Sequence, residues 1–202
     1  MKYHYFICDV FTDQRFGGNQ LAVLPDAQKL SDWQMQQIAR EFNFSETAFV
    51  LPAEFGHTRK VRIFTPTTEI PFAGHPNIGT AFVLAEMGAL GKEIPSTVLF
   101  EEKAGLVLIE LHANPGAPNS FELKAPQILT LQEFPAIGSV ANALSLREND
   151  VIVTTHAPTI ASVGLPFLFV EVVDSAVLGQ VRIDMAGFER LLVEGEIGRA
   201  HA

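Results

Sequence analysis

The sequence predicts an α+β fold in which short strands wrap around one enclosed helix. Three observations carry that prediction. From Pro76 to Leu90 the chain is apolar on every side of a helical wheel, with Asn77, Thr80 and Glu86 as its clear polar positions. A helix without a polar face has to be surrounded by other elements. Strand-like runs precede it at Thr47 to Leu51 and Lys60 to Thr65. A hairpin pattern follows it, Thr97 to Glu102 and Leu106 to Leu111, joined at Lys103-Ala104-Gly105.

The remaining elements follow in chain order. Tyr3 to Val10 reads as a buried strand, Gly17-Gly18-Asn19 as a turn, and Leu21 to Leu24 as a second strand. Ser31 and Gln34 fit a capping box, and Met35, Ile38, Ala39 and Phe42 recur at helical spacing. Pro76 suits the first turn of the enclosed helix, because its missing N–H would be unpaired there anyway. Ser120 to Lys124 is a strand, preceded by a turn-rich stretch from Asn114 to Asn119. The pattern then restarts. Phe134 to Leu144 reads as a helix with Pro135 in its first turn. Val151 to Thr155 and Ser162 to Val173 read as strands, the latter interrupted by Gly164 and Pro166. Asp184 caps a final helix, Met185 to Val193. The division this suggests is an N-terminal lobe, 1–118, around a helix at 76–90, and a partial C-terminal lobe, 119–202. The second part offers no apolar helix to match Pro76–Leu90, so its strands lack an internal partner.

Composition removes several function classes. The net charge is −9, and nucleic-acid binders usually carry a basic stripe. The densest basic cluster, Arg59, Lys60 and Arg62, lies along a probable strand and reads as a solvated face. No apolar run approaches the ~18 residues that a bilayer span needs, and Met1 to Tyr5 lacks the apolar core of a signal peptide. A cytoplasmic protein without membrane or nucleic-acid partners is the expectation. The single cysteine, Cys8, sits in an apolar run and reads as core packing. The six histidines show no HxxxH or HExxH spacing, and the glycines form no phosphate-binding pattern. Neither a metal nor another cofactor is expected.

The candidate chemistry lies in two short segments. Glu46, between Ser45 and Thr47, stands just before an apolar strand. Most such carboxylates are simply solvated. Beside a desolvated substrate, though, one carboxylate suffices as general acid and base when the proton it removes returns to another carbon. Gly74 and His75 open the enclosed helix, where unpaired backbone N–H groups favour an anion. His75 could be structural, or could bind substrate or assist the proton. Gly74 lets the backbone approach a ligand, and Pro76 follows it at the helix start. Asn19 is a turn residue or a hydrogen-bonding group for substrate.

These segments resemble the PhzF-like isomerases of phenazine biosynthesis, relatives of diaminopimelate epimerase by fold. The resemblance runs in order through Asp9-Val10-Phe11-Thr12, Gly18 to Val23, Asn43 to Phe49, Arg62 to Pro66, Glu69 to Pro76 and Ser162 to Leu168. It is densest in Glu69-Ile70-Pro71-Phe72-Ala73-Gly74-His75-Pro76. The resemblance implies two similar lobes, each a curved sheet around a central helix, with the active site between them. It implies a cofactor-independent isomerase or epimerase acting on a small carboxylate-bearing metabolite. Glu46 would move a proton between carbons, His75 would assist, and Asn19, Ser45, Gly74 and Pro76 would line the substrate. A homodimer is the family expectation.

Two departures stand out. Gln20 occupies a position where the family usually has proline. The Asp-Pro-Ala-Thr-Gly-Ser-like motif of the second lobe's central helix is missing, and Glu194 to Ala202 does not read as a continuing element. The chain therefore reads as a truncated or altered member whose second lobe leaves an apolar sheet face uncovered. A non-catalytic protein that binds a small anion, or that only oligomerises, is the alternative expectation.

Overall fold

A computed structural model describes residues 2–112, 119–133 and 136–194. The chain forms two compact units, Met1–Gln127 and Ile128–Ala202.

In the first unit, seven strands form a continuous curled sheet: β1 (Phe6–Val10), β2 (Asn19–Leu24), β3 (Glu46–Leu51), β4 (Arg59–Phe64), and then β6 (Thr97–Glu102), β7 (Gly105–His112) and β8 (Ser120–Lys124). A two-residue strand, β5 (Glu69–Ile70), pairs with β4 off this path. β2 runs parallel to β3, and β4 parallel to β6; the other pairs in the order are antiparallel. Because strand side chains alternate, the register fixes two faces. Leu21, Ala48, Val61, Ile63, Val98, Phe100, Val107 and Ile109 are buried on the inner face.

The inner face curls around α2 (Gly74–Glu86), the helix expected from the apolar run. Pro76, Asn77, Gly79, Thr80, Ala81, Val83, Leu84 and Ala85 are buried. Each fully buried Val, Leu or Phe contributes about 1.5–3 kcal/mol. The helix is not enclosed all round. Ile78 is half-buried and Phe82 is exposed; they are one helical turn apart and share a face. There the sheet stays open between its edge strands, with Phe82 edge-on to Phe121 of β8. The helix starts and ends earlier than the pattern 76–90 suggests. Ala73 is the extended N-cap residue, and Gly88, at φ 70°, breaks the helix soon after Glu86.

α1 (Asp32–Phe42) packs on the outer face. Its capping box is present as expected: Gln34 N–H donates to Ser31 Oγ, and Ser31 N–H to Gln34 Oε1. Met35 and Ala39 meet Leu24, Phe49 and Phe64. The basic cluster is not a plain solvated face. Arg62 is forked onto Glu69, with Nε–Oε1 at 2.7 Å and Nη2–Oε2 at 2.8 Å, and it also pairs with Asp32. Lys60 pairs with Glu54. β1 is also not the buried strand expected: it is an edge strand, with Tyr5, Phe6 and Ile7 exposed.

β8 pairs with β7, so this strand stays with the first unit, and the division falls after Gln127 instead of after residue 118. The turn-rich stretch Asn114 to Pro118, Phe134 and Pro135, and the tail 195–202 lie outside the described residues.

The second unit contains β9 (Thr130–Glu133), β10 (Thr159–Ser162) and β11 (Pro166–Phe169) in the order β11-β10-β9, with α3 (Ile137–Ala143), α4 (Ser175–Leu178) and α5 (Met185–Glu194). The strand expected over 162–173, with interruptions at Gly164 and Pro166, is instead the end of β10, a turn and the second arm of a hairpin. Gly164, at φ 140°, makes the turn, and Ser162 pairs with Pro166. The strand expected at 151–155 reduces to one bridge, Val151 to Val172. Asp184 caps α5 as expected, accepting from Gly187 N–H at 3.0 Å. Val140, Ala143, Ile160 and Leu191 make a small core of its own.

Among the described residues, one face of this three-stranded sheet is largely exposed. Leu131, Ala161 and Phe167 share a row across it, and Phe169 lies two residues on; Leu131, Phe167 and Phe169 are exposed. Apolar patches of this kind promote association. The 202-residue chain is expected to bind the dye ANS. The double substitution Phe167→Thr, Phe169→Thr, which keeps β-propensity, should cut that fluorescence severalfold and leave the thermal midpoint within a few degrees. Undiminished fluorescence would place the sticky surface elsewhere.

Candidate active site

The parallel pairing of β2 with β3 sets Leu21 opposite Glu46. Asn19 and Gln20 at the start of β2 therefore lie at the same sheet end as Ser45 and Glu46. Alternation turns Glu46 to the inner face, toward α2. The first turn of α2 meets it there: His75 Nε2 lies 3.5 Å from Glu46 Oε2, and the two side chains are only 10% and 19% exposed. Neither atom has a hydrogen-bond partner of good geometry among the described residues. Both are buried polar atoms without such a partner, which is rare in folded proteins.

The imidazole is neutral in this setting. Burial lowers the His75 pKa from its ordinary 6.5, and this outweighs the opposing pull of the Glu46 carboxylate and the Gln20 backbone carbonyl. Any residue type supplies that carbonyl, so glutamine in place of the usual proline at position 20 leaves this contact available. Protonating His75 in the folded chain is harder than in the unfolded chain, so stability should fall as pH drops from about 6.5 through the depressed folded value. His75→Asn should flatten that acid limb in urea titrations at pH 5 and pH 7. An identical limb in both proteins would contradict a buried neutral imidazole.

The helix mouth is open. Ala73 offers no side-chain cap to the first-turn N–H groups. A Cβ added to Gly74 would meet nothing within 4 Å. Packing therefore does not require glycine at this position. Pro76 is buried in the first turn. Asn19 and Ser45 are exposed at the rim. The structure thus brings Glu46 and His75 into contact and places Asn19, Ser45, Gly74 and Pro76 around them, all in the first unit.

Cys8 points inward against α2, within 3.2 Å of where a Gly79 Cβ would stand. Burial, with help from Asp9, pushes its thiol up to about 11. It is a neutral thiol at physiological pH and no nucleophile there.

Histidine spacing along the sequence missed one cluster. Cross-strand pairing sets Glu110 of β7 opposite Glu122 of β8, and His112 stands on the same exposed face. The ligand atoms of these three side chains lie within 4.8 Å of one another, so they could hold a cation. Glu102 was also missed as a buried carboxylate. The alternation Val98, Phe100, Glu102 gave the signal, because it puts all three on the inner face.

A family model for phenazine biosynthesis-like proteins, PhzC-PhzF, matches residues 8–199. The chain belongs to this family. It is 39% identical over 192 residues to an uncharacterized isomerase, mll1393, of Mesorhizobium japonicum, covering 93% of this chain and 62% of that protein. It is 36% identical over 170 residues to the trans-2,3-dihydro-3-hydroxyanthranilate isomerase of Pseudomonas chlororaphis, covering 81% of this chain and 58% of that one. The crystal structure of a PhzF-family phenazine biosynthesis protein from Bacillus anthracis superposes with a TM-score of 0.82 at 28% identity, over 96% of this chain and 64% of the other. This PhzC-PhzF chain thus spans about three fifths of the length of these relatives. Relatives named as isomerases and a curled sheet around a helix agree with the expected fold and family. No described helix is long and apolar enough to cross a membrane.

Proposed function

We propose that this PhzC-PhzF chain carries the proton-transfer half of an isomerase or epimerase site. Its substrate is a small carboxylate-bearing metabolite, and the chemistry needs no cofactor. The observation that carries the reading is the buried contact of Glu46 with a neutral His75 at an uncapped helix mouth. Glu46 removes a proton from one substrate carbon and returns it to another, so no net charge or redox equivalent is consumed. Neutral His75, its one ring N–H given to the Gln20 carbonyl, offers Nε2 as an acceptor to Glu46 once that carboxyl has taken the proton, or to a substrate hydroxyl. The Gly74 and His75 N–H groups hold the substrate anion, aided by the helix dipole. Asn19 and Ser45 complete the rim, and the working form is a homodimer.

The substrate named for the Pseudomonas chlororaphis relative is the first to try. Consumption of trans-2,3-dihydro-3-hydroxyanthranilate by the chain, followed by NMR, supports the reading. A second reading has its own support in the exposed sheet face of the second unit: an anion-binding protein without turnover. Anthranilate that shifts the Gly74 and His75 amide signals, in a chain that turns over no substrate, would favour this second reading.

A further inference from the structure

The inner face of the curled sheet carries few ionisable groups. They are Cys8 of β1, Glu46 of β3, Arg59 of β4 and Glu102 of β6; β2, β5, β7 and β8 turn none inward. From α2, His75 and Glu86 complete the set. Arg59 lies at the far end, where it donates to the carbonyl of Ala89. Lys103, next to Glu102, is paired with Glu69 on the outer face. Among the described residues, Glu102 is therefore a carboxyl without a counter-charge. Both its oxygens are closed off from solvent and have no hydrogen-bond partner of good geometry.

Its neighbour is Asn77, fully buried in the first turn of α2. Asn77 Nδ2 donates to the carbonyl of Ala73, the N-cap residue, at 2.9 Å. Asn77 Oδ1 is buried without a donor. These deficits are complementary. A protonated carboxyl has one O–H to give and the amide oxygen has one place to receive it. An ionised carboxyl could only accept, from the second Nδ2–H of Asn77, and would leave Oδ1 without a donor. A second link joins the same parts: Ala104 N–H, in the turn after Glu102, donates to the carbonyl of Pro71 in the loop before α2 at 3.1 Å.

We propose that Glu102 is a positioning residue: a neutral carboxylic acid that, through Asn77, fixes the first turn of α2 and with it Gly74 and His75. Its relevance to turnover rests on the reading of Glu46 and His75 as the reacting pair. Burial raises the Glu102 carboxyl from 4.5 to about 8, with only the Asn77 amide opposing the shift and no charged group contributing. Between those values the folded chain holds a proton that the unfolded chain releases. Stability therefore declines as pH rises through this range, and the helix mouth loosens as the proton leaves.

NMR of the intact chain tests this without any substrate. The Gly74 and His75 amide signals should move in one step near pH 8. His75 itself titrates below 6.5 and Cys8 near 11, so the window is clear. In Glu102→Gln, which keeps a donor for Asn77 Oδ1 and cannot ionise, the step should vanish. The spectrum should match that of the wild type at pH 6, and stability to urea at pH 9 should exceed that of the wild type. Glu102→Leu has no donor and should displace both signals at every pH. A wild type without the step, or a step that survives in Glu102→Gln, overturns the proposal; these two proteins decide it even if Glu102→Leu does not fold. If the step behaves as stated and no turnover is found, the positioning role stands and the isomerase reading fails.

Discussion

Glu46→Gln should lower turnover of a carboxylate substrate by at least about 10²–10⁴-fold, the range that positioned general acid–base groups contribute. Binding should survive, because glutamine keeps the shape of the side chain and the anion contacts lie at the helix mouth. The substitution also removes a carboxylate beside a buried imidazole, so the folded structure should not suffer. A fall in kcat with an unchanged dissociation constant, measured by titration of an anionic analogue, is the expected pattern. Comparable rates for the two proteins would take Glu46 out of the mechanism. Loss of folding would instead show that its contact with His75 holds the sheet to the helix.

Two glycines of α2 should respond in opposite ways. A Cβ on Gly79 would stand 2.5 Å from Leu21 Cδ2 and 2.8 Å from Val10 Cγ2, the side chains through which β1 and β2 close on the helix. Alanine gains about 1 kcal/mol of helix propensity there, while overpacking costs about 1–3 kcal/mol. Gly79→Ala should therefore be destabilised by up to about 2 kcal/mol. Gly79→Val should lose considerably more, because its two further methyl groups enter the same space. Gly74→Ala meets no neighbour, so it should keep or slightly raise the thermal midpoint while weakening anion binding at the mouth. Calorimetry of the three variants, with anthranilate titrations of the folded ones, checks both halves. A neutral Gly79→Val would mean that the sheet does not close on α2 as described.

Much of this architecture was legible in the sequence because its signals are local. The capping box at Ser31 and Gln34 depends on two side chains three residues apart, and the all-round apolar run of α2 on one turn after another. The pairing of Glu46 with His75 was not local. It needs the parallel register of β2 and β3 and the entry of α2 against the inner face, so spacing could only nominate the two residues separately. The second unit was read less well for the same reason. An apolar run through Ser162 to Val173 looks like one strand until Gly164 takes a positive φ and folds it back. β1 looked buried from its apolar composition, but order in the sheet decides exposure, and β1 lies at an edge. Glu102 shows the limit most clearly. Alternation points it inward, yet only the fold reveals that no counter-charge among the described residues meets it there.

The most direct test of the central claim is deuterium wash-in. The chain and Glu46→Gln are each incubated with trans-2,3-dihydro-3-hydroxyanthranilate in D2O, and the substrate and product carbons are followed by NMR. The wild type is expected to form product whose receiving carbon carries the proton removed from the other carbon, replaced by deuterium only as far as the Glu46 carboxyl exchanges with solvent; Glu46→Gln is expected to give neither product nor deuterium above background. Product formed, or deuterium incorporated, at equal rates by both proteins would contradict a proton carried by Glu46.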